Sequence, residues 1–320
     1  MKSLLAIVLA AVYGLVIRLF FGFASGLMEI MSITFIFLVP FGVGYLTVLL
    51  MPPASIRSST AAFWAPWLTS LALLGITVLL KIEGLICWLM IFPIFAIIAG
   101  IGGAVAFSQR PRKDRNSDSP PRPTNLHMSL LVAGPLLLGF IEGEKALIPK
   151  QLIISREVVI AARPAVVWQQ LTSRQTVARP ASRRSLAGLF GFPRHLTTTL
   201  DSFKVGGKRM AYYEKGLYFE ETVASYQPAR QLVLQVNANP SAVPPAVMDE
   251  HILIGGKHLD ILQDTYQLTP LAGGRTSLRL ASRFYINTPF NWYAEIWAHY
   301  LMSDILTGEL KDLQARATAH

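Results

Sequence analysis

Cysteine and charge are the scarcest things in this sequence: one cysteine, Cys87, and charged residues at only 15% of 320 positions. A single cysteine excludes an intrachain disulfide and any cysteine-based zinc cluster. Soluble globular chains carry about 25% charged residues. Set against 52% hydrophobic residues, the shortage excludes disorder and collagen and points to lipid. Also missing are a Gly-rich phosphate loop of the P-loop or dinucleotide kind and a G-x-S-x-G nucleophile elbow. The net charge of +10 on its own permits nucleic-acid binding, but that charge is unevenly spread.

Residues 1–107 hold four cations (Lys2, Arg18, Arg57, Lys81) and two anions (Glu29, Glu83). Residues 108–127 hold five cations and two anions in a stretch rich in Pro and Ser. The domain reading is therefore a four-helix transmembrane region over 1–107, a basic Pro-rich linker over 108–127, a fifth transmembrane helix over 128–142, and a soluble domain over 150–320. Crossing a bilayer as helix takes roughly 20 apolar residues. Stretches 4–24, 30–51, 61–80 and 84–107 meet that length, with Pro40, Pro66 and Pro93 expected to kink them. Met128 to Ile141 is at the lower limit. Arg18, six residues from the end of its span, reads as an arginine snorkelling to the interface, and residues 1–24 as a retained helix rather than a cleaved signal. No span carries the acids or paired charges of a proton relay, so a pump or secondary transporter is not expected. The positive-inside rule puts Lys2, Arg57 and the linker in the cytoplasm. A fifth crossing then carries the soluble domain outside; a re-entrant or interfacial segment in its place leaves that domain cytoplasmic. The linker has no aromatic residue among its arginines, so its expected partner is the lipid bilayer and not nucleic acid.

Beyond residue 150 the periodicity changes. EVVIA (157–161) reads as a strand and PAVVWQQLTS (164–173) as a short helix opened by Pro164. Residues 174–195 read as irregular. Strands follow at 208–214, 217–226 and 232–236, then a loop over 238–257. A hairpin comes next, 258–268 with 276–286 across PLAGG. On the strand from Leu217, Phe219 and Val223 share one face while Tyr218, Glu220 and Thr222 share the other. A long helix, 290–317, ends the chain, with Tyr293, Trp297, Tyr300, Leu301 and Ile305 as its apolar stripe. This order implies an α+β fold in which a curved antiparallel sheet wraps a long C-terminal helix.

The string VVIAARPAVVWQQLTS resembles the opening of the START-like superfamily, also called SRPBCC, which includes polyketide cyclases/dehydrases and Bet v 1 proteins. RMAYYEKGLYFEETVASYQPARQLVLQV is similar to its middle strands and TPLAGGRTSLRLASRFYI to its last hairpin. The match covers about residues 155–317. The chain also resembles a branch of bacterial membrane proteins that join an apolar bundle to this domain. The resemblance implies a helix-grip fold with a hydrophobic pocket, in a protein of the bacterial inner membrane. It does not fix a reaction.

The expected role is a membrane-anchored domain that binds a hydrophobic small molecule or lipid between the sheet and the final helix, without a cofactor. The ligand-binding candidates are Tyr213, Tyr218, Glu220, His251, Tyr266, Phe284 and Trp297. The alternative is a cyclase, dehydrase or hydrolase. It would use Glu220, from the pattern G-x-Y-x-E, and a His258–Asp260 pair, in which the carboxylate fixes the imidazole tautomer. Solvent-face placement of Glu220 and a loop-anchoring role for His258 and Asp260 are the competing readings, and a non-catalytic role is favoured. A non-catalytic sensor or assembly module is the third reading. No established zinc spacing is present, so no metal is expected. Glu295 and His299, four apart, read as a pair on a solvated helix face.

Overall fold

The computed structural model describes residues 2–24, 31–110, 125–143, 147–172, 175–176, 188, 192–193, 195–202, 204–240 and 253–318. The chain divides into two compact units, Met1–Ile148 and Pro149–His320.

The first unit is helical. Helix α1 is Lys2–Phe23, a π-helical turn Thr34–Leu38 leads into α2 (Val39–Leu50), and α3 (Ser59–Leu79), α4 (Leu85–Ser108) and α5 (Asn125–Glu142) follow. Three helices, Lys2–Phe23, Ser59–Leu79 and Ile86–Ser108, are long and apolar enough to cross a membrane; Thr34–Leu50 and Ser129–Glu142 are shorter apolar helices. The sequence reading had five stretches of spanning type. The second is shorter because its helical stretch begins only at Thr34, with the π-helical turn itself.

Small residues set how closely these helices approach. A Cβ at Gly44 would lie 1.8 Å from the Ala99 carbonyl oxygen, and one at Gly102 would lie 2.1 Å from that of Phe41. Close backbone packing of this kind substitutes in lipid for the hydrophobic drive available in water. Gly44→Val is therefore expected to push α2 off α4, at a cost of ~1–3 kcal/mol or more. Gly75→Val, with no atom within 4 Å of the added Cβ, is expected to change nothing. The midpoints of SDS-induced unfolding of the two variants check this.

Polar contacts mark the two ends of the bundle. At one end Arg110 donates to the carbonyls of Val48 and Met51, and Ser3 bonds to Ser55. At the other end the Glu142 carboxylate accepts from the backbone N–H groups of Ile33 and Thr34 at 2.8 and 2.9 Å. There it satisfies donors that a helix start leaves open. Arg18 does not snorkel. It is buried and donates through Nε to Glu83 in the α3–α4 turn, because a buried guanidinium needs a counter-charge. Helix α5 therefore ends opposite to Lys2, Arg57 and Arg110.

The second unit is an α+β helix-grip fold. Its strands are β1 (Pro149–Ile160), β2 (Gln175–Thr176), β3 (His195–Leu200), β4 (Lys208–Tyr213), β5 (Tyr218–Gln227), β6 (Gln231–Asn237), β7 (Leu259–Leu271) and β8 (Arg275–Asn287). Helix α6 is Pro164–Thr172 and helix α7 is Asn291–Thr318. The strands form one sheet in the order β1-β8-β7-β6-β5-β4-β3-β2, and every pairing is antiparallel. Register shifts at Val223/Ser225 and Ile261/Gln263 add the local twist that lets such a sheet wrap. The β7–β8 turn is shorter than PLAGG: Pro270 and Leu271 stay in the ladder, while Gly273 and Gly274 take positive φ.

The inner face carries Ile154, Val223, Leu232, Leu234, Leu278, Leu280 and Phe284, packed against Met302, Leu306, Leu310, Leu313 and Ala317 of α7. The seam continues toward the helix start through Ala294 and Ala298. Of the expected stripe Leu301 is buried, while Tyr300 is 55% exposed and Ile305 38%. Small residues make the seam at this end, so the large side chains stand to one side of it. Along β1 the helix is fastened by Lys150 to Glu295 (2.5 Å), Arg156 to Ser303 (2.6 Å) and Gln314 to the Val159 carbonyl (2.9 Å). Glu295 therefore spans to β1 instead of pairing with His299.

Candidate functional site

The strand period of two assigns alternate residues to the inner face. On β5 that face is Leu217, Phe219, Glu221 and Val223. Arg209 of β4 is paired in register with Glu221, and Ala211 with Phe219. On β7, Asp264 and Tyr266 stand opposite Ser282 and Leu280. An ionic cluster therefore lies among apolar side chains. Arg209 is 6% exposed and Glu221 5%, and the Arg209 Nη1 donates to Glu221 Oε2 at 2.8 Å. Arg209 Nη2 is 4.0 Å from Glu309 Oε1 on α7. Tyr266, 1% exposed, donates its hydroxyl to the same Glu309 oxygen, and the Arg209 guanidinium sits 5.7 Å from the centre of the Tyr266 ring. On β3 and β4, His195 stacks edge-on to Tyr213 at 5.3 Å and bonds to Thr198 at 2.6 Å.

Hydrogen bonding in the cluster is incomplete. Arg209 Nε and Asp264 Oδ1 are sealed from solvent and have no partner. Part of Asp264 remains accessible, so this oxygen lies at the margin of the core. Native interiors leave few such atoms, and each requires a cause.

Burial shifts the cluster's acid–base behaviour. It pushes the Asp264 carboxyl from 3.8 to about 7, with Glu221 and Glu309 adding repulsion and Arg209 and Ser282 opposing. Burial also raises Glu221, which the Arg209 charge pulls back, and holds the Tyr213 and Tyr266 phenols well above their usual range. The His195 imidazole is lowered by burial. The arrangement can present a neutral or ionised carboxyl at neutral pH beside a fixed cation and two phenols, within an apolar wall.

Of the residues expected to form the site, Tyr213, Tyr266 and Phe284 are on the inner face; Tyr266 and Phe284 are buried there. Tyr218 and Glu220 are on the outer face. Tyr218 meets Tyr212, and Glu220 accepts from Lys208 at 2.6 Å with both side chains about half exposed. His258 is anchored through Nδ1 to the Asn287 carbonyl at 3.1 Å. Asp260 accepts from the backbone N–H groups of Ile261 and Gly255, and burial raises its carboxyl. Trp297 is half-buried on α7 beside Tyr293. His251 lies outside the described residues. Glu220 and His258 are thus committed to separate local partners, while Asp260, like Asp264, keeps one sealed oxygen, Oδ1, that no protein group bonds. Among the described residues, no three His, Cys, Asp or Glu side chains gather as a metal-binding group.

The sequence reading missed Arg209, Glu221, Asp264 and Glu309. A signal was available: Glu221 falls in phase with Phe219 and Val223, and Asp264 with Tyr266 and Leu268. A charged residue in phase with a strand's apolar face is a buried charge, and buried charges need partners.

No protein-family model matches the chain, and no curated protein matches it. Among solved structures it is similar to norcoclaurine synthase from Thalictrum flavum, at 12% identity over 55% of this chain and 91% of that one, with TM-score 0.34. It is also similar to a START superfamily protein from Mycobacterium smegmatis, at 14% identity over 52% and 97%, with TM-score 0.34. A protein of unknown function from Staphylococcus aureus gives 11% identity over 53% and 96%, with TM-score 0.37. Likenesses at this level do not extend to activity. The helix-grip assignment stands on the strand order and register given above.

Proposed function

We propose that the chain is a membrane-anchored binding protein whose C-terminal unit holds a hydrophobic small molecule or lipid between the inner face of the sheet and α7. To admit the apolar body of the ligand, α7 would have to move off the leucines of β6 and β8, which it covers; burial against them would contribute roughly 25 cal/mol per Å2. Its polar end would meet the cluster around Arg209 and Asp264. The observation that carries this reading is a pair of sealed polar atoms at the margin of the apolar core, Arg209 Nε and Asp264 Oδ1, that no protein group bonds. A ligand's polar head or a bound water satisfies such atoms; apolar packing does not.

Anchoring is supported by the three helices of spanning length. The basic residues Lys2, Arg57 and Arg110 would set the cytoplasmic side, and the C-terminal unit would follow α5 to the opposite side. A bilayer tether raises the effective concentration of any ligand that partitions into lipid.

The test is organic extraction of the purified full chain, followed by mass spectrometry, with empty nanodiscs of the same lipid as the blank. The expected result is one amphiphile class recovered near one per chain and absent from the blank. Recovery of bulk lipid alone, in the proportions of the blank, would contradict the reading. A reporter fused to the C-terminus is expected to be active only outside the cytoplasm, and cytoplasmic activity would overturn the assigned side.

A further inference from the structure

The charge balance around Asp264 narrows the ligand. This step rests on the binding role proposed above. The elements around the Asp264 carboxylate supply the following groups, β6 adding only the apolar Leu234. Arg209 and Tyr213 come from β4, Glu221 from β5, Tyr266 from β7 itself, Ser282 from β8 and Glu309 from α7. The phenols and the serine are neutral. Of the charged groups, two are carboxylates and one is a guanidinium, and that guanidinium is already engaged by Glu221 and faces Glu309. Further out, Arg316 and Asp312 of α7 offset one another, and the His195 imidazole of β3 is lowered by burial. Asp264 therefore sits in a field of net negative sign, and in its ionised form the unpaired Oδ1 accepts. Around it the requirement is for a donor that brings positive charge.

We propose that the ligand's polar end is a protonated amine, paired with the Asp264 carboxylate at the margin of the grip. A carboxylate ligand would face Glu221, Glu309 and Asp264 together, and repulsion between like charges in a low-dielectric interior opposes that. An alcohol supplies the hydrogen bond without the charge and would bind more weakly. The unpaired Arg209 Nε then takes an acceptor, such as a hydroxyl or carbonyl oxygen on the same ligand.

The pairing couples binding to a proton. Asp264 is raised to about 7, so at lower pH a cationic ligand must displace the proton before it can pair. Amine affinity then climbs about tenfold per pH unit below that value and levels off above it. An alcohol shows no such slope.

Octylamine, octanol and octanoate, matched in apolar length, are titrated calorimetrically into the full chain in nanodiscs, with empty discs subtracted, at pH 6 and pH 8. The expected result is octylamine binding at least tenfold tighter than octanol at pH 8, with the gap closing at pH 6. Asp264→Asn removes the gap. Glu220→Gln, which removes an outer-face carboxylate, leaves all three unchanged. Equal affinities for amine and alcohol, or an amine preference that survives in Asp264→Asn, would mean that water serves the unpaired atoms and would overturn the proposal. Octanoate binding tightest would also overturn it, with Arg209 as the anchor, while the apolar-ligand reading stands. If none of the three compounds binds, the binding role itself fails.

Discussion

Arg209→Met is expected to cost the C-terminal unit roughly 3–5 kcal/mol, the penalty for stranding a buried charge whose partner is removed. Glu221 is 5% exposed and takes its hydrogen bond from Arg209 Nη1. Without that cation its carboxylate must either stay charged in an apolar surrounding or take up a proton. The double variant Arg209→Met/Glu221→Leu removes both charges together and is expected to recover most of the loss, because hydrophobic replacement of a buried pair is often neutral or stabilising. Hydrogen-exchange mass spectrometry of the full chain reads this directly: protection in β4 and β5 falls in the single variant and returns in the double. A single variant with unchanged protection would mean that the Glu221 carboxylate has another partner.

Asp264→Asn is expected to act in the opposite direction and to stabilise. The sign follows from the raised carboxyl, which moves from 3.8 to about 7 on folding. Between those values the folded chain holds a proton that the unfolded chain has released. The wild type is therefore at its best below about pH 4 with respect to this group and loses stability as pH rises toward 7. Asparagine mimics the protonated acid and removes that loss. A shift of this size corresponds to roughly 4 kcal/mol at its upper limit, and coupling to Glu221 and Glu309 spreads it over the group. A gain of ~2–4 kcal/mol is expected at pH 8, most of it gone at pH 5, read as the difference in unfolding midpoint between variant and wild type. A substitution that stabilises the fold while erasing amine selectivity is the pattern of a residue kept for function. Equal midpoints at pH 8 would show that Asp264 is not held against its ionisation.

Most of the fold was legible because it is written in periodicity. The α+β order, helix α6 behind Pro164, strands β4 to β6 and the final helix all follow from alternation, helical spacing and turn residues. Three elements were not, one of them β2, two residues inside a stretch that reads as irregular. The first half of β1 was hidden because Lys150 and Arg156 interrupt the apolar alternation, and both are explained by bonds to α7, to Glu295 and Ser303. Strand β3, HLTTTL, alternates too weakly to stand out, and its inner residues His195 and Thr198 bond to each other. The α7 stripe was placed on its largest side chains, whereas the helix meets the sheet through Ala294 and Ala298. Among site residues, Glu220 drew attention through a motif and Glu221 did not, although a shift of one residue on a strand exchanges solvent for core. The membrane unit shows the same limit. Arg18 and Glu83 are 65 positions apart, and only the folding back of α3 and α4 brings them together.

The most direct measurement of the central claim is an experimental density map of the full chain in nanodiscs, purified with its native lipid, at a resolution that shows side chains in the grip. The account predicts connected non-protein density between α7 and the inner leucines of β6 and β8, ending within hydrogen-bond distance of Asp264 Oδ1. An interior filled by Tyr213, Tyr266 and Phe284 alone, with an ordered water joining Arg209 Nε to Asp264 Oδ1, would contradict it.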